Sequence, residues 1–521
     1  MKTKRPLLFC YFFFLSLYTV CAQTTIEGSI LNFAALTLDQ SPIVKQNNLL
    51  VNQAEANYRT QKSIFDYELS SGFSLSRNKL TLFDADPRSA FLSEKLETNT
   101  TGLSFGLQKR FRTGLIANIS TDYSGISDNF PLDRFNQQVG ADISNHATST
   151  TLSLTQPLLR GNRKSVVTAF EKAAQLTIES TKENNTLNNA FEILQMGTAY
   201  WQYVGAYESL KIFEANESRV RNVLDITQEL VKADKRPEGD LLQIQADLAD
   251  QERQTTAAKQ NFYNAKLNLG RVVGISEVES KTIGNPLDRF PTTNDQTIQV
   301  GDMIALARKK RTDISAVQRI QEGLDLQRKA ARNSKLPQLD LTGFFTYRGE
   351  ASDGGVEQFF SALGNRQGRN QVAGLSLNFF VPVNNNRAKA DFALSEIAVQ
   401  DQQITYDNLV RNIDLNVSIA LNNLENTIVI VKKAKESLDF SSRVFENEQV
   451  RFRNGLTTLL NLILFQDRLT FAHLEYLRAE QQYAVALLNL RFETGTLLTK
   501  NDANTISSLQ QETFYTIPNN N

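Results

Sequence analysis

Two cysteines and two histidines are all that a chain of 521 residues offers for thiolate or imidazole chemistry. A metal centre needs several such ligands together, and a nucleophile needs a base and an orienting group beside it. His146 is read as lying in a loop rich in Ser, Thr and Asn, and His473 on a helix close to the seam; neither has a second His, a Cys or a spaced acidic partner nearby. Carboxylates are plentiful but scattered at helix-surface spacing. No catalytic, cofactor-binding or metal-ligating residue is therefore assigned, and the chain is not read as an enzyme. Arg308-Lys309-Lys310-Arg311 reads as a solvated face because Asp302 and Asp313 flank it. Gly270 to Gly274 reads as a helix end, since no strand precedes it as a phosphate loop requires. With 56 basic against 56 acidic residues, no nucleic acid partner is expected.

Residues 1–22 read as an export signal: Lys2, Lys4 and Arg5, an apolar run from Leu7 to Val20, then Cys21-Ala22 before Gln23. Both cysteines leave with it, and 53 basic and 56 acidic residues remain. Lipid attachment at Cys21 is the rival reading, against which stands the absence of Leu and a small residue just before it. No later segment reaches the roughly 18 uninterrupted apolar residues of a membrane helix, so any crossing must be made by strands.

The elements that fill the chain come twice. At a shift of 221, Leu241, Gln245, Leu248, Ala258 and Gly274 fall on Leu462, Gln466, Leu469, Ala479 and Gly495, and Leu267-Asn268-Leu269 falls on Leu488-Asn489-Leu490. Repeat 1 spans 23–271 and repeat 2 spans 301–495, with a linker at 272–300 and a tail at 496–521. Each repeat opens with a helix, near 42–65 or 312–335, and continues into strands of period two. Leu69, Ser71, Phe73 and Leu75 share one face, as do Leu339, Leu341, Phe345 and Tyr347. The strands are placed at 68–78 and 149–157 in repeat 1 and at 338–348 and 372–382 in repeat 2. Repeat 1 carries an insertion between 75 and 150 whose alternation predicts a further pair, 101–110 and 114–124. Long helices follow at 163–233 and 386–454, on the order of 105 Å each. Returning helices are placed at 239–271 and 457–494. Leu462, Phe465, Leu469, Ala472, Tyr476, Ala479, Tyr483, Ala486 and Leu490 recur in the 3-4 spacing of a heptad seam, and Gln251 and Thr255 interrupt the matching seam of the first copy.

A few strands per chain cannot close a barrel in lipid, where an open edge leaves backbone groups unsatisfied, so several chains must contribute. A trimer gives about 12 strands without the inserted pair or about 18 with it. The duplicated order of helix, strand pair ending in Gln156-Pro157-Leu158 and then Gly161, long helix, and returning helix ending in Leu267-Asn268-Leu269 and Leu488-Asn489-Leu490 resembles the TolC-like outer membrane efflux proteins. The resemblance spans nearly the whole mature chain. It implies an α+β membrane protein with internal duplication: a long antiparallel α-helical coiled-coil barrel continuous with a transmembrane antiparallel β-barrel formed by a homotrimer. It implies a place in the outer membrane of a Gram-negative bacterium with a long periplasmic extension, surrounded by outer membrane lipid, and no cofactor. The implied role is the exit duct of a tripartite efflux system. A periplasmic adaptor (membrane fusion) protein and an inner-membrane pump of RND, ABC or MFS type would be its partners. The duct of a type I protein secretion system is an alternative, and a non-conducting periplasmic coiled-coil scaffold is one from another class.

The same resemblance places function at the two helix reversals. Asn454, Gly455 and Leu456 occupy the family's adaptor-contacting turn, where Gly and Leu are kept and a Val is lost. The first reversal carries Lys235, Arg236 and Pro237 and is unusually charged, a solvated turn or a second adaptor contact. Phe452, Asn461 and Leu464 mark a possible entrance constriction, polar or apolar where some members place acidic residues. Pro157, Gly161, Pro337 and Pro382 mark the transition from barrel to helix. Lys109, Arg110, Arg112, Arg160, Arg163, Lys164 and Arg387 form a candidate basic collar there.

Overall fold

The structure is a computed structural model that describes residues 25–86, 95–129, 143–293, 298–352, 357–364, 370–498 and 510–518. The expected export signal, Cys21 and most of the tail lie outside the described residues. Two compact units form. One draws on Met1–Lys45, Asn189–Asp302 and Ser418–Asn521, the other on Gln46–Asn188 and Met303–Val417. Each unit therefore takes segments from both sequence repeats.

The second unit is built on six strands: β1 (Tyr67–Thr81), β2 (Lys95–Arg110), β3 (Ile116–Asp128), β4 (Ile143–Pro157), β5 (Gln338–Ser352) and β6 (Asn370–Phe380). They form one antiparallel sheet in sequence order, so the inserted pair β2 and β3 lies within it. The register explains the alternation read from the sequence. Leu69, Leu107, Ile119, Leu152, Phe345 and Ala373 stand side by side across all six strands. One residue along, Ser70, Gly106, Ser120, Thr151, Thr346 and Val372 make the parallel row on the opposite face. The first face is apolar and uncovered over most of its rows, with Leu69 and Leu375 each 80% exposed. Hydroxyls tie the strands together where they meet, as Thr151 does with Thr346 at 2.9 Å and Thr155 with Thr342 at 3.0 Å.

Helices in this unit pack through small residues. Gly323 of the helix Thr312–Ser334 faces Ala173 of the helix Ala169–Lys232, where a β-carbon added at the glycine would stand in ordinary contact, 3.6 Å from Ala173. The long helical stretch anticipated from residue 163 begins as a short helix, Lys164–Val167, and is interrupted at Thr168 before the long helix starts. The basic run at 308–311 is not a solvated face throughout. Arg308 grips Asp414 at 3.0 and 2.5 Å, and Arg311 is buried against Asp313 at 3.1 and 2.7 Å. Arg311 closes the junction between the helices Val300–Lys310 and Thr312–Ser334, where a buried charge must be paired.

The first unit has an aromatic core. Phe33, Tyr200, Trp201, Tyr203, Met196, Leu488 and Phe514 are all fully buried. Ser29 caps the helix Ile30–Gln40, Ser41 breaks it, and Pro42 takes the first position of the next helix, Pro42–Lys62, where its missing N–H costs nothing. The linker is stitched to this core by side chains: Tyr200 donates to Asp288 at 2.7 Å, and Asp288 also accepts from the Ile30 backbone at 2.7 Å. The helices Glu238–Val273 and Leu459–Glu493 pack with the C-terminal parts of Ala169–Lys232 and Asn386–Arg453. Gln251, which interrupts the seam, is buried because Asn216 donates to it at 2.8 Å while Gln466 donates to Asn216 at 3.1 Å. Thr255 is buried beside the Phe213 carbonyl, 3.5 Å away. No described helix is long and apolar enough to cross a membrane.

Candidate functional site

The two helix reversals of the first unit meet. In the first, the N–H groups of Asp234 and Lys235 bond back to Val231 and Leu230 at 3.0 and 2.9 Å, and Asp234 takes a positive φ of 54°. Pro237 sits at the N-cap of the returning helix. In the second, Gly455 adopts φ 72°, which releases its N–H to the Phe452 carbonyl at 3.0 Å and lets Leu456 reach the Arg451 carbonyl at 2.8 Å. Thr458 then caps the helix by accepting from the Asn461 N–H at 3.3 Å.

Arg236 joins them. Its guanidinium donates to the Thr457 carbonyl, lies 4.8 Å from the centre of the Phe452 ring and approaches Asp240 at 3.7 Å. Thr457 in turn donates to Glu448, which also holds Arg451 at 3.0 Å. Phe452 is 1% exposed and packs with Val220, Ile244, Leu459 and Leu462. Its ring is core, so of the three constriction candidates only Asn461 and Leu464 present a side chain outward. Asn454, Gly455, Leu456, Lys235 and Pro237 are exposed on the two turns. The clasp was hidden from the sequence because its partners lie 221 residues apart.

In the second unit, the transition residues gather where the strands end. Pro157 is the last residue of β4, opposite Asp340; Pro337 directly precedes β5, and Pro382 follows β6. Gly161 turns with φ 78° and gives its N–H to Asn333 at 2.8 Å, while Asn333 donates to the Leu159 carbonyl at 3.3 Å. Asn385, also at positive φ, donates to the Lys335 carbonyl at 3.0 Å. The two asparagines brace the junction in ways the sequence did not single out, and their only signal there is their nearness to Pro337 and Pro382. A cavity of about 460 Å³ opens at this end, with Arg110, Arg160, Gln338 and Asp340 in its lining.

Three of the seven collar cations have clear partners. Arg112 makes a forked pair with Glu171 at 2.9 and 2.6 Å, Arg160 donates to Gln338, and the Lys109 ammonium lies 3.6 Å from the Tyr67 ring centre. Hydrogen bonding from Arg112 holds the Glu171 carboxyl below the usual carboxylate range, and Glu171 raises Arg112 in return.

His146 is not in a loop but in β4, where it is buried, stacked on Tyr123 and bonded to the Tyr123 hydroxyl at 2.7 Å. His473 is held below its usual range by burial and then by Arg219, so it stays neutral. Among the described residues no three of His, Cys, Asp and Glu converge as metal ligands. What the arrangement offers is wall and hinge: a two-faced sheet, coupled helix turns and a braced junction between strands and helices.

Comparison with known proteins agrees. Residues 303–496, nearly the extent of the second repeat, match the model of the outer membrane efflux protein family. Outer membrane protein TolC of Escherichia coli K12 is 22% identical over 369 residues, covering 68% of this chain and 71% of TolC. A membrane protein from Pseudomonas aeruginosa superposes with a TM-score of 0.64 at 16% identity, covering 89% of this chain and 90% of that one. The CmeC outer membrane channel of Campylobacter jejuni gives 0.61 at 15%, covering 90% and 86%. The resemblance to TolC-like outer membrane efflux proteins holds in sequence and in fold.

Proposed function

We propose that this chain, as a TolC-like outer membrane efflux protein, forms the outer membrane exit duct of a tripartite efflux system. Three copies close a β-barrel, and the helical turns at Lys235–Pro237 and Asn454–Leu456 receive a periplasmic adaptor coupled to an inner-membrane pump. Small molecules or ions would leave through it without any chemistry on the chain.

The sheet carries this reading. It has one apolar face left largely uncovered, one polar face, and outer strands β1 and β6 that each pair on one side only among the described residues. In water such a face is a liability, and in lipid an open edge is untenable; closure with further copies removes both problems. An even number of strands lets β6 of one copy meet β1 of the next in antiparallel sense. With six strands per copy, three copies give about 18 strands around a polar lumen.

Purified protein should require detergent, run as a heat-resistant trimer and conduct ions in a planar bilayer. Images of that particle should show about 18 strands in its barrel. A soluble monomer without conductance would sink the proposal. Susceptibility profiling of a deletion strain then identifies the exported class, and loss of one secreted protein with unchanged drug tolerance would favour the protein secretion duct.

A further inference from the structure

The segment joining β5 to β6 holds a short helix, Gln358–Gly364, that folds back onto the sheet. The face it covers can be read from its contacts. Phe359 meets Tyr123 edge to face at 5.8 Å, and the Phe359 carbonyl accepts from Thr148 at 3.2 Å. Gly349 lies so close beneath that a β-carbon there would stand 1.7 Å from the Ala362 carbonyl oxygen. Tyr123, Thr148 and Gly349 belong to one row, two residue pairs beyond the Thr121, Thr150, Tyr347 row. That row continues the apolar face of Leu107, Ile119, Leu152 and Phe345. The helix therefore sits on the apolar side of the sheet, not on the polar side.

Its own sequence is divided three ways. Phe359 and Ala362 face the strands, Ala362 being fully buried. Phe360 and Leu363, one position further on at the same spacing of three, point away, and Phe360 is 76% exposed. Gln358 and Ser361 make a polar stripe between them. The position along the sheet matters as well. From Leu339 to Gly349 is ten residues of β5, about 33 Å along the strand and about 25 Å in height at the usual barrel tilt. That height is the typical thickness of a barrel's apolar band, so the helix stands at the band's far rim.

We propose that the helix Gln358–Gly364 is a membrane-interface anchor. It lies on the outer surface of the barrel wall and sets Phe360 and Leu363 into the boundary between acyl chains and headgroups, while Gln358 and Ser361 remain on the polar side. The proposal rests on the reading of the apolar face as lipid-facing. The occupant is the lipid surface because the helix continues that face and presents a phenylalanine outward instead of a charge.

Trp201 is the only tryptophan and is 0% exposed, so the unsubstituted protein supplies a buried-indole background that is subtracted to isolate a tryptophan introduced at position 360. The full-length protein carrying Phe360→Trp, and separately Leu375→Trp on the middle of the apolar face, would be reconstituted into phosphatidylcholine vesicles. The lipid would be brominated either high on one acyl chain or near its end. The anchor predicts that Phe360→Trp emission falls by about twofold with the shallow bromine, falls less with the deep one and resists aqueous iodide. Quenching by iodide alone would place the helix in water and overturn the proposal. Quenching by neither would mean that a neighbouring copy covers it, which also overturns it. If Leu375→Trp is untouched by brominated lipid, the lipid-facing reading itself has failed, an outcome distinct from failure of the anchor.

Discussion

Arg236 does three jobs with one guanidinium: it bonds the Thr457 carbonyl, faces the Phe452 ring and balances Asp240. Arg236→Ala removes the link between the two turns at a cost of about 1–2 kcal/mol, confined to the ends of the helices. If the turns hold the entrance shut, single-channel conductance of this variant rises. Arg236→Lys restores charge but not the flat stacking surface, and recovers only part of the closure. At the other end of the helices, Glu171→Gln breaks the fork with Arg112 and lowers the melting temperature at neutral pH. Because Arg112 holds the Glu171 carboxyl low, the wild-type contribution is present above the ordinary carboxylate range and fades as pH falls through the depressed value. Melting curves of the two proteins should converge in acid. Neither arrangement could be read from the chain, since a residue type announces what it can bond to and not which distant carbonyl or carboxylate it will find.

Among elements, the returning helices show which polar residues a seam tolerates. Asn216, Gln251 and Gln466 come from three helices and satisfy one another in a buried layer. Asn216→Leu alone leaves two buried amides short of partners and costs about 2–4 kcal/mol in urea unfolding. Replacing all three by Leu costs far less, because the unpaired groups go with it. Asp247, one turn from Gln251, accepts from it at 3.3 Å, and burial raises its carboxyl above the usual range. The folded form thus holds that proton more tightly than the unfolded chain. Packing is strongest below the ordinary carboxylate pKa and weakens as pH climbs through the raised value, and Asp247→Asn should flatten that slope. The period of the strands and helices was legible because it depends on neighbours in sequence. Gln251 and Thr255 read as flaws in the first seam, since their partners Asn216 and the Phe213 carbonyl sit on another helix. Gln358–Gly364 was passed over for the opposite reason: seven residues hold too few turns to display a period.

For the whole molecule, the interleaving of repeats is the dominant fact. One unit takes β1 to β4 from the first copy and β5 and β6 from the second, and the other takes helices from each. Residues 301–495 expressed alone should lack cooperative melting by circular dichroism, although this stretch nearly coincides with the part that matches the efflux family. A sharp transition in the isolated repeat would contradict the interleaved account. The duplication itself was plain from Leu267-Asn268-Leu269 and Leu488-Asn489-Leu490, but not that two copies so alike would share their cores.

Trp201, in the middle of the aromatic core, touches Tyr515 at 5.8 Å, and Phe514 beside it is fully buried. Arg491 secures the same segment through the Thr516 carbonyl at 2.7 Å. The aromatic core is therefore incomplete until residues near position 515 have been made and delivered. About 300 residues separate Trp201 from Tyr515, so nearly the whole chain must be synthesised before this core can close. Its late aromatic residues act as the closing piece, so completion of the chain and completion of this core fall together.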